Sequence, residues 1–202
     1  MRRFMTGSVV SLALVLTLAT PALAAPPIRE DGTVTGASAF AGACEPAPGG
    51  SVECSDQYVE AFQTGPDSWA VCVGRFTYAI SASGRFRSIS DESGCVDLSA
   101  NPLTIAPDFL SATIAPTVVP LLSCNRRGCT EAGAISVSAD LASSGQIFES
   151  TNRGTFSDGT CSYRFTSSVL GTDGPAEITM DGSTVLGQGS YSSEDFTITS
   201  RC

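Results

Sequence analysis

Hydrophobic and polar positions alternate along most of the chain from Gln57 onward, in short stretches separated by clusters of Gly, Asp, Ser and Pro. Side chains two residues apart lie on the same face of a strand, so this period predicts β-strands rather than helices. The predicted strands cover residues 57–63, 69–80, 85–90, 109–114, 118–124, 134–141, 146–156, 161–169, 176–180 and 195–201.

The same alternation indicates which residues share a face within a strand. It places Ile135 with Val137, Tyr163 with Phe165, and Phe196 with Ile198, while Ser and Thr occupy most of the intervening positions. Asp-Gly dipeptides at residues 158–159 and 181–182 supply the positive φ that tight hairpin turns require. We therefore predict a single-domain, all-β fold over residues 57–202, an antiparallel β-sandwich or open barrel stabilised by disulfides.

Two regions depart from this pattern. Residues 25–56 are richer in Gly, Ala and Pro, which predicts an extended or loop-rich N-terminal arm. Residues 105–122 are strongly apolar, but Pro116 and Pro120 interrupt them. Because proline cannot donate a ladder hydrogen bond, we expect an edge strand or a β-rich connection here.

Residues 1–24 have the three parts of a secretory signal peptide. Arg2 and Arg3 precede a short apolar run, and the small-residue site Ala22-Leu23-Ala24 follows it. The run is shorter than the roughly 20 residues that span a bilayer. We expect cleavage after Ala24, no membrane span after signal removal, and a secreted protein that is extracellular, periplasmic or associated with the cell envelope.

The cysteines fit this compartment, since an even number in an exported chain indicates a disulfide framework. No pair has the two-residue spacing of a zinc knuckle, so we expect four disulfides and no metal or other cofactor. Eight half-cystines allow 105 pairings, which the sequence does not decide between. Hairpin geometry favours Cys72 with Cys95 most clearly, and we choose a sequential pairing in which Cys161 and Cys202 are the pair that remains. The eight candidates are Cys44 with Cys54, Cys72 with Cys95, Cys124 with Cys129, and Cys161 with Cys202.

Charge and composition exclude several functions. The formal net charge is −9, which argues against nucleic acid as a partner because nucleic acid attracts a positive surface. The chain has no His and no Lys, and this excludes Ser-His-Asp and Cys-His catalysis, histidine-bearing zinc sites and Schiff-base chemistry. A positive set made only of Arg is typical of a GC-rich genome and indicates a bacterial source.

Two groups of residues are candidates for chemistry. The predicted Cys124–Cys129 bridge would present Arg126 and Arg127 on a short rigid tip, where they could grip a carboxylate or occupy a trypsin-like protease; a solvated turn is the simpler interpretation. Carboxylate-pair hydrolysis needs no histidine, and four acidic residues are available for it, although solvated surface carboxylates are the commoner explanation. They are Glu149, Glu177, Glu194 and Asp195.

Aromatic residues offer a third candidate. Tyr58, Phe62 and Trp69 could form a platform for sugars, although packing in the core is the simpler role. The leading hypothesis is a non-catalytic, exported β protein that binds an unidentified extracellular protein or glycan at the cell envelope or in the medium. The alternatives are a glycoside hydrolase that uses two carboxylates and a protease inhibitor that acts through the Arg126-Arg127 loop.

Overall fold

The computed structural model describes residues 27–125 and 128–202, and these residues form one sheet of ten antiparallel strands. The predicted signal peptide lies outside the described residues. The prediction of an all-β, antiparallel, disulfide-stabilised fold is confirmed. The strands are β1 (Ile28–Ala47), β2 (Ser51–Gly65), β3 (Ser68–Ile80), β4 (Phe86–Leu98), β5 (Leu103–Ile105), β6 (Ser111–Asn125), β7 (Gly128–Ala142), β8 (Ile147–Ser157), β9 (Ser162–Met180) and β10 (Ser183–Arg201).

The sheet closes on itself into a ring. Its strands follow the order β10, β1, β2, β3, β4, β6, β7 and β9, and β9 pairs again with β10. The short strand β5 pairs with β6, and β8 pairs with the first half of β9. Within the described residues, β4 and β6 share two residue pairs, Glu92 with Ser123 and Ser93 with Leu122, so this contact is the narrowest seam of the ring.

A glycine makes the seam possible. A Cβ atom at Gly94 would collide with the main-chain carbonyl oxygen of Pro120. Because a main-chain atom cannot rotate away as a side chain can, the close approach of β4 to β6 requires glycine at this position.

The hydrophobic core fills the middle of the ring. Ile114, Val119 and Ile178 are fully buried there, and each contributes about 1.5–3 kcal/mol through the removal of its side chain from water. Ala37, Ala39 and Ala41 bring β1 into this core with small side chains. The rest of the core comes from Val59, Ala61, Trp69, Val71, Val73, Leu103, Phe109, Ala112, Leu121, Ile135, Val137, Ala139, Leu141, Ala176, Met180 and Tyr191.

Residues Ile28–Ala47, for which the sequence predicts an extended or loop-rich arm, form a 20-residue strand of the ring. This strand, β1, pairs with β10 along one side and with β2 along the other. Its many Gly and Ala residues resemble a loop in composition, although Ala37, Ala39 and Ala41 of β1 are buried. Pairing, rather than local propensity, determines the conformation of this segment.

Residues 111–122 of the apolar, proline-containing segment belong to β6, which pairs with β7 along its length. The register shifts between Ile114 and Thr117, so Pro116 sits at an irregularity where no ladder hydrogen bond is needed. On its other side β6 meets β5 and, at the seam, β4. No helix among residues 27–125 and 128–202 is long and apolar enough to cross a membrane.

The four disulfides follow the sequential pairing. In three of them the cysteines are direct cross-strand partners, with Cα atoms 4.0–4.1 Å apart. The fourth joins the residue before β9 to the residue after β10, with the same 4.0 Å separation of Cα atoms. The bridges are Cys44–Cys54, Cys72–Cys95, Cys124–Cys129 and Cys161–Cys202.

Candidate functional site

Beyond the core, four strands continue as an extension of the ring, here called the terminal sheet. It consists of residues 28–36 of β1, 192–201 of β10, 162–172 of β9 and 147–157 of β8. The face that continues the interior of the ring is its inner face, and the opposite one is its outer face.

The terminal sheet differs from the ring in which face carries its aromatic side chains. In the ring, Tyr191 and Ile178 point inward and are buried. Along the same faces of their strands, the terminal sheet carries Thr197, Asp195 and Thr166 instead. The five aromatic residues of the terminal sheet therefore lie on the outer face, whereas Ile147 and Leu170 lie on the inner face.

Aromatic and aliphatic side chains make up much of the outer face, which also carries the polar residues Glu30, Ser150, Asn152 and Glu194. Phe148 and Phe156 keep 51% and 40% of their surface exposed, and Phe156 stacks on Tyr163 with ring centroids 4.6 Å apart. Exposed apolar patches of this kind are uncommon on a free monomer and mark contact surfaces. This aromatic face comprises Ile28, Val34, Phe148, Phe156, Tyr163, Phe165, Val169, Phe196 and Ile198.

Glycines keep the aromatic face flat. The rings of Phe165 and Phe148 lie directly over Gly154 and Gly171, their cross-strand partners, where a Cβ atom would collide with the ring. The ring of Phe196 covers Gly32 in the same way. Glycine thus lets each ring lie against the backbone of the neighbouring strand, and the packing stabilises the glycine-containing strands in return.

The inner face holds an open groove of about 620 Å³ lined by hydroxyl and charged groups. Thr33 donates a 2.6 Å hydrogen bond to Asp195, and Arg29 pairs with Asp31 at 3.0 Å. Hydrogen bonds from Arg29 and Thr197 lower the pKa of the Asp31 carboxyl. Arg153 reaches the same groove from β8.

Asp31 and Asp195 are the two carboxylates that line this groove. Asp31 is open to water, with 57% of its side chain exposed, and its lowered pKa keeps it ionised. A general acid needs the reverse, a carboxyl whose pKa is raised by burial. The groove can hold a polar ligand, but Asp31 is unsuited to protonate a leaving group.

The four carboxylates proposed from the sequence do not form a cluster. Glu194 and Asp195 are neighbours in the chain and therefore lie on opposite faces of β10. Glu149 shares the inner face with Asp195, but the whole of β9 separates their strands, a distance of about 10 Å between backbones. Glu177 is exposed on the part of β9 that belongs to the ring.

The aromatic residues proposed as a sugar-binding platform do not lie together either. Trp69 is 6% exposed and belongs to the core, whereas Phe62 and Tyr58 lie on the outside of the ring, so the three form no common platform. Tyr58 instead stacks on Phe76 at 5.9 Å. Arg126 and Arg127 lie outside the described residues.

Sequence reasoning missed Asp31 and Arg153 as groove residues. Their proximity depends on β1 pairing with β10, and on β8 pairing with β9, over separations that local patterns do not encode. No group of three or more acidic or cysteine side chains in the described residues could hold a metal ion. No protein-family model, curated protein or solved structure matches this chain.

Proposed function

We propose that this chain is a non-catalytic exported protein that binds a partner protein outside the cytoplasm through its aromatic face. The observation that carries the proposal is the apolar surface on the outer side of the terminal sheet, where Phe148 and Phe156 are about half exposed. Aromatic side chains dominate the energetic centres of protein interfaces because they bury a large area with little loss of conformational entropy.

The composition of the face favours a protein over a glycan. Sugar recognition combines rings with polar groups that bond to the sugar hydroxyls. On this face the rings are mainly Phe, and they are surrounded by the aliphatic residues Ile28, Val169 and Ile198. The phenol hydroxyl of Tyr163 already donates a 3.0 Å hydrogen bond to Asp158, which leaves Ser150 and Asn152 of β8 as the exposed polar groups beside the rings.

Export explains how such a face persists. One of the four disulfides joins strands of the terminal sheet, and the net charge of −9 opposes non-specific aggregation through the aromatic face. The bridge between Cys161 and Cys202 lies at the end of the terminal sheet and holds β9 and β10 in register beneath the rings.

The test is capture of a partner from culture-medium and envelope fractions of the source with the immobilised, oxidised protein. We expect a specific protein to bind the wild type and to be lost with F148S/F156S. The matched control is L186S, which removes another exposed apolar residue, 77% exposed, from a position outside the aromatic face. Equal capture by wild type and F148S/F156S, or a captured species that resists protease and yields to glycosidases, contradicts the proposal.

A further inference from the structure

One side of β8 is free of neighbours in the described structure. Along its 11 residues, Ile147–Ser157, β8 pairs with β9 on one side. The strand β7, which occupies the same side of β9, pairs with it further along, from Ala176 to Met180. A free edge of this length without proline is a template for another strand, and proteins usually protect such edges.

The charges on this edge are arranged symmetrically. Glu149, Thr151 and Arg153 follow one another at a spacing of two and so share the inner face. The ion pairs of the described residues lie elsewhere, between Arg29 and Asp31 and between Arg75 and Glu92. Glu149 and Arg153 are therefore opposite charges at equal distances on either side of Thr151.

We propose that two copies of this chain pair through their β8 strands, antiparallel, about a two-fold axis that passes through Thr151. In this register Glu149 lies opposite Arg153 of the second copy, and Arg153 lies opposite its Glu149. A two-fold interface repeats each contact, so Glu149 and Arg153 form two ion pairs between the copies, one on each side of the axis. Opposite charges directly across an antiparallel pair stabilise it, and like charges destabilise it.

The side chains on the outer face of β8 also fit this register. Phe148 then lies opposite Gly154 of the second copy, so the ring meets no opposing side chain. The same pairing of an aromatic ring with a cross-strand glycine occurs within the terminal sheet itself. A dimer of this kind joins two terminal sheets into one continuous sheet of eight strands, with both aromatic faces on the same side.

The net charge of −9 on each copy opposes self-association. An arginine on the free edge of β8 offsets part of this repulsion at the place where the two copies would meet. Any other register of β8 with itself moves Glu149 away from Arg153. The charge pattern therefore specifies both the partner, a second copy, and the alignment.

Sedimentation velocity on the oxidised protein tests the proposal. We expect a concentration-dependent dimer for the wild type. E149R places arginine opposite arginine and R153E places glutamate opposite glutamate, so each should weaken the dimer at least about tenfold at low salt. An equimolar mixture of the two variants restores both pairs in a heterodimer, and E149R/R153E restores them in a homodimer.

The control is E60R, an identical change of charge on β2, which is flanked by β1 and β3. It should leave the dimer unchanged. A wild type that stays monomeric, single variants that dimerise as well as wild type, or a mixture that fails to associate each overturns the proposal. Glu149 and Arg153 lie on the face opposite the aromatic face, so this outcome is independent of the proposed partner protein.

Discussion

The buried hydroxyl of Tyr191 donates a hydrogen bond to the main-chain carbonyl oxygen of Phe109, with 3.0 Å between the two oxygen atoms. Phe109 belongs to the turn between β5 and β6, and its φ of 59° lies in the left-handed region that most residues avoid. The two rings also pack together, with centroids 5.2 Å apart. Tyr191 thus fixes an unfavourable turn to the opposite wall of the ring.

We predict that Y191F lowers the free energy of unfolding by about 1–2 kcal/mol, because it leaves a buried carbonyl without its donor while the ring packing remains. Equilibrium denaturation in urea measures the change. Y58F is the matched control, since Tyr58 is only partly buried, and it should change stability by less than about 0.5 kcal/mol. A Y191F protein as stable as wild type would show that the bond contributes nothing.

The seam of the ring gives a second prediction. G94A should lower stability by about 2–3 kcal/mol, because the new methyl group would meet the carbonyl oxygen of Pro120 and force β4 away from β6. G154A introduces the same methyl group beneath the ring of Phe165, which can rotate, and should cost less than about 1 kcal/mol.

Thermal and urea unfolding of the two variants distinguish main-chain from side-chain obstruction. Amide hydrogen exchange locates the effect: G94A should accelerate exchange at the residues paired across the seam, Glu92 and Ser93, more than in β9. Equal losses for G94A and G154A would mean that the approach of Gly94 to Pro120 is not a constraint on closure.

Asp158 gives a prediction for pH. Main-chain amides of Cys161 and Thr160 and the hydroxyl of Tyr163 donate to its carboxylate, and these bonds lower the pKa of Asp158. A carboxyl with a lowered folded-state pKa contributes stability that is complete above its unfolded pKa, about 3.9, and is lost as the pH falls through the folded-state pKa.

D158N should therefore melt below wild type at pH 7, and the difference should narrow as the pH falls below about 4. The hydrogen bond to Asp158 also raises the pKa of Tyr163, so D158N should bring one tyrosine toward ordinary titration in an absorbance experiment. D67N, in the turn between β2 and β3, controls for the loss of one negative charge. A melting difference that is constant from pH 7 to pH 2 contradicts this account.

Local patterns predicted the strands whose pairing is local. Residues 69–80 were expected in a strand and form most of β3, and Cys72 lies directly opposite Cys95 because a hairpin joins them. The strand β1 was not predicted. Its glycines and alanines have low strand propensity, and the partner that fixes it, β10, lies at the other end of the chain.

The candidate site shows a different limit. Alternation correctly placed Tyr163 on the same face as Phe165, and Phe196 on the same face as Ile198. It cannot tell which face of a strand is buried. The buried face of β10 changes along the strand: Tyr191 points into the core, whereas Phe196 and Ile198 point outward. Closure of the ring, which depends on all the strands together, decides where the change occurs.

Three of the four disulfides lie near strand ends, joining Cys44 to Cys54, Cys124 to Cys129, and Cys161 to Cys202. Proteolysis requires a stretch of chain that has come loose, and strand ends loosen first. Bridges at these positions limit local unfolding, so a protease finds little unfolded chain to bind while the core stays folded. Mild reduction would then make the protein digestible well before it denatures, so its resistance to proteolysis depends on the redox state of these strand ends.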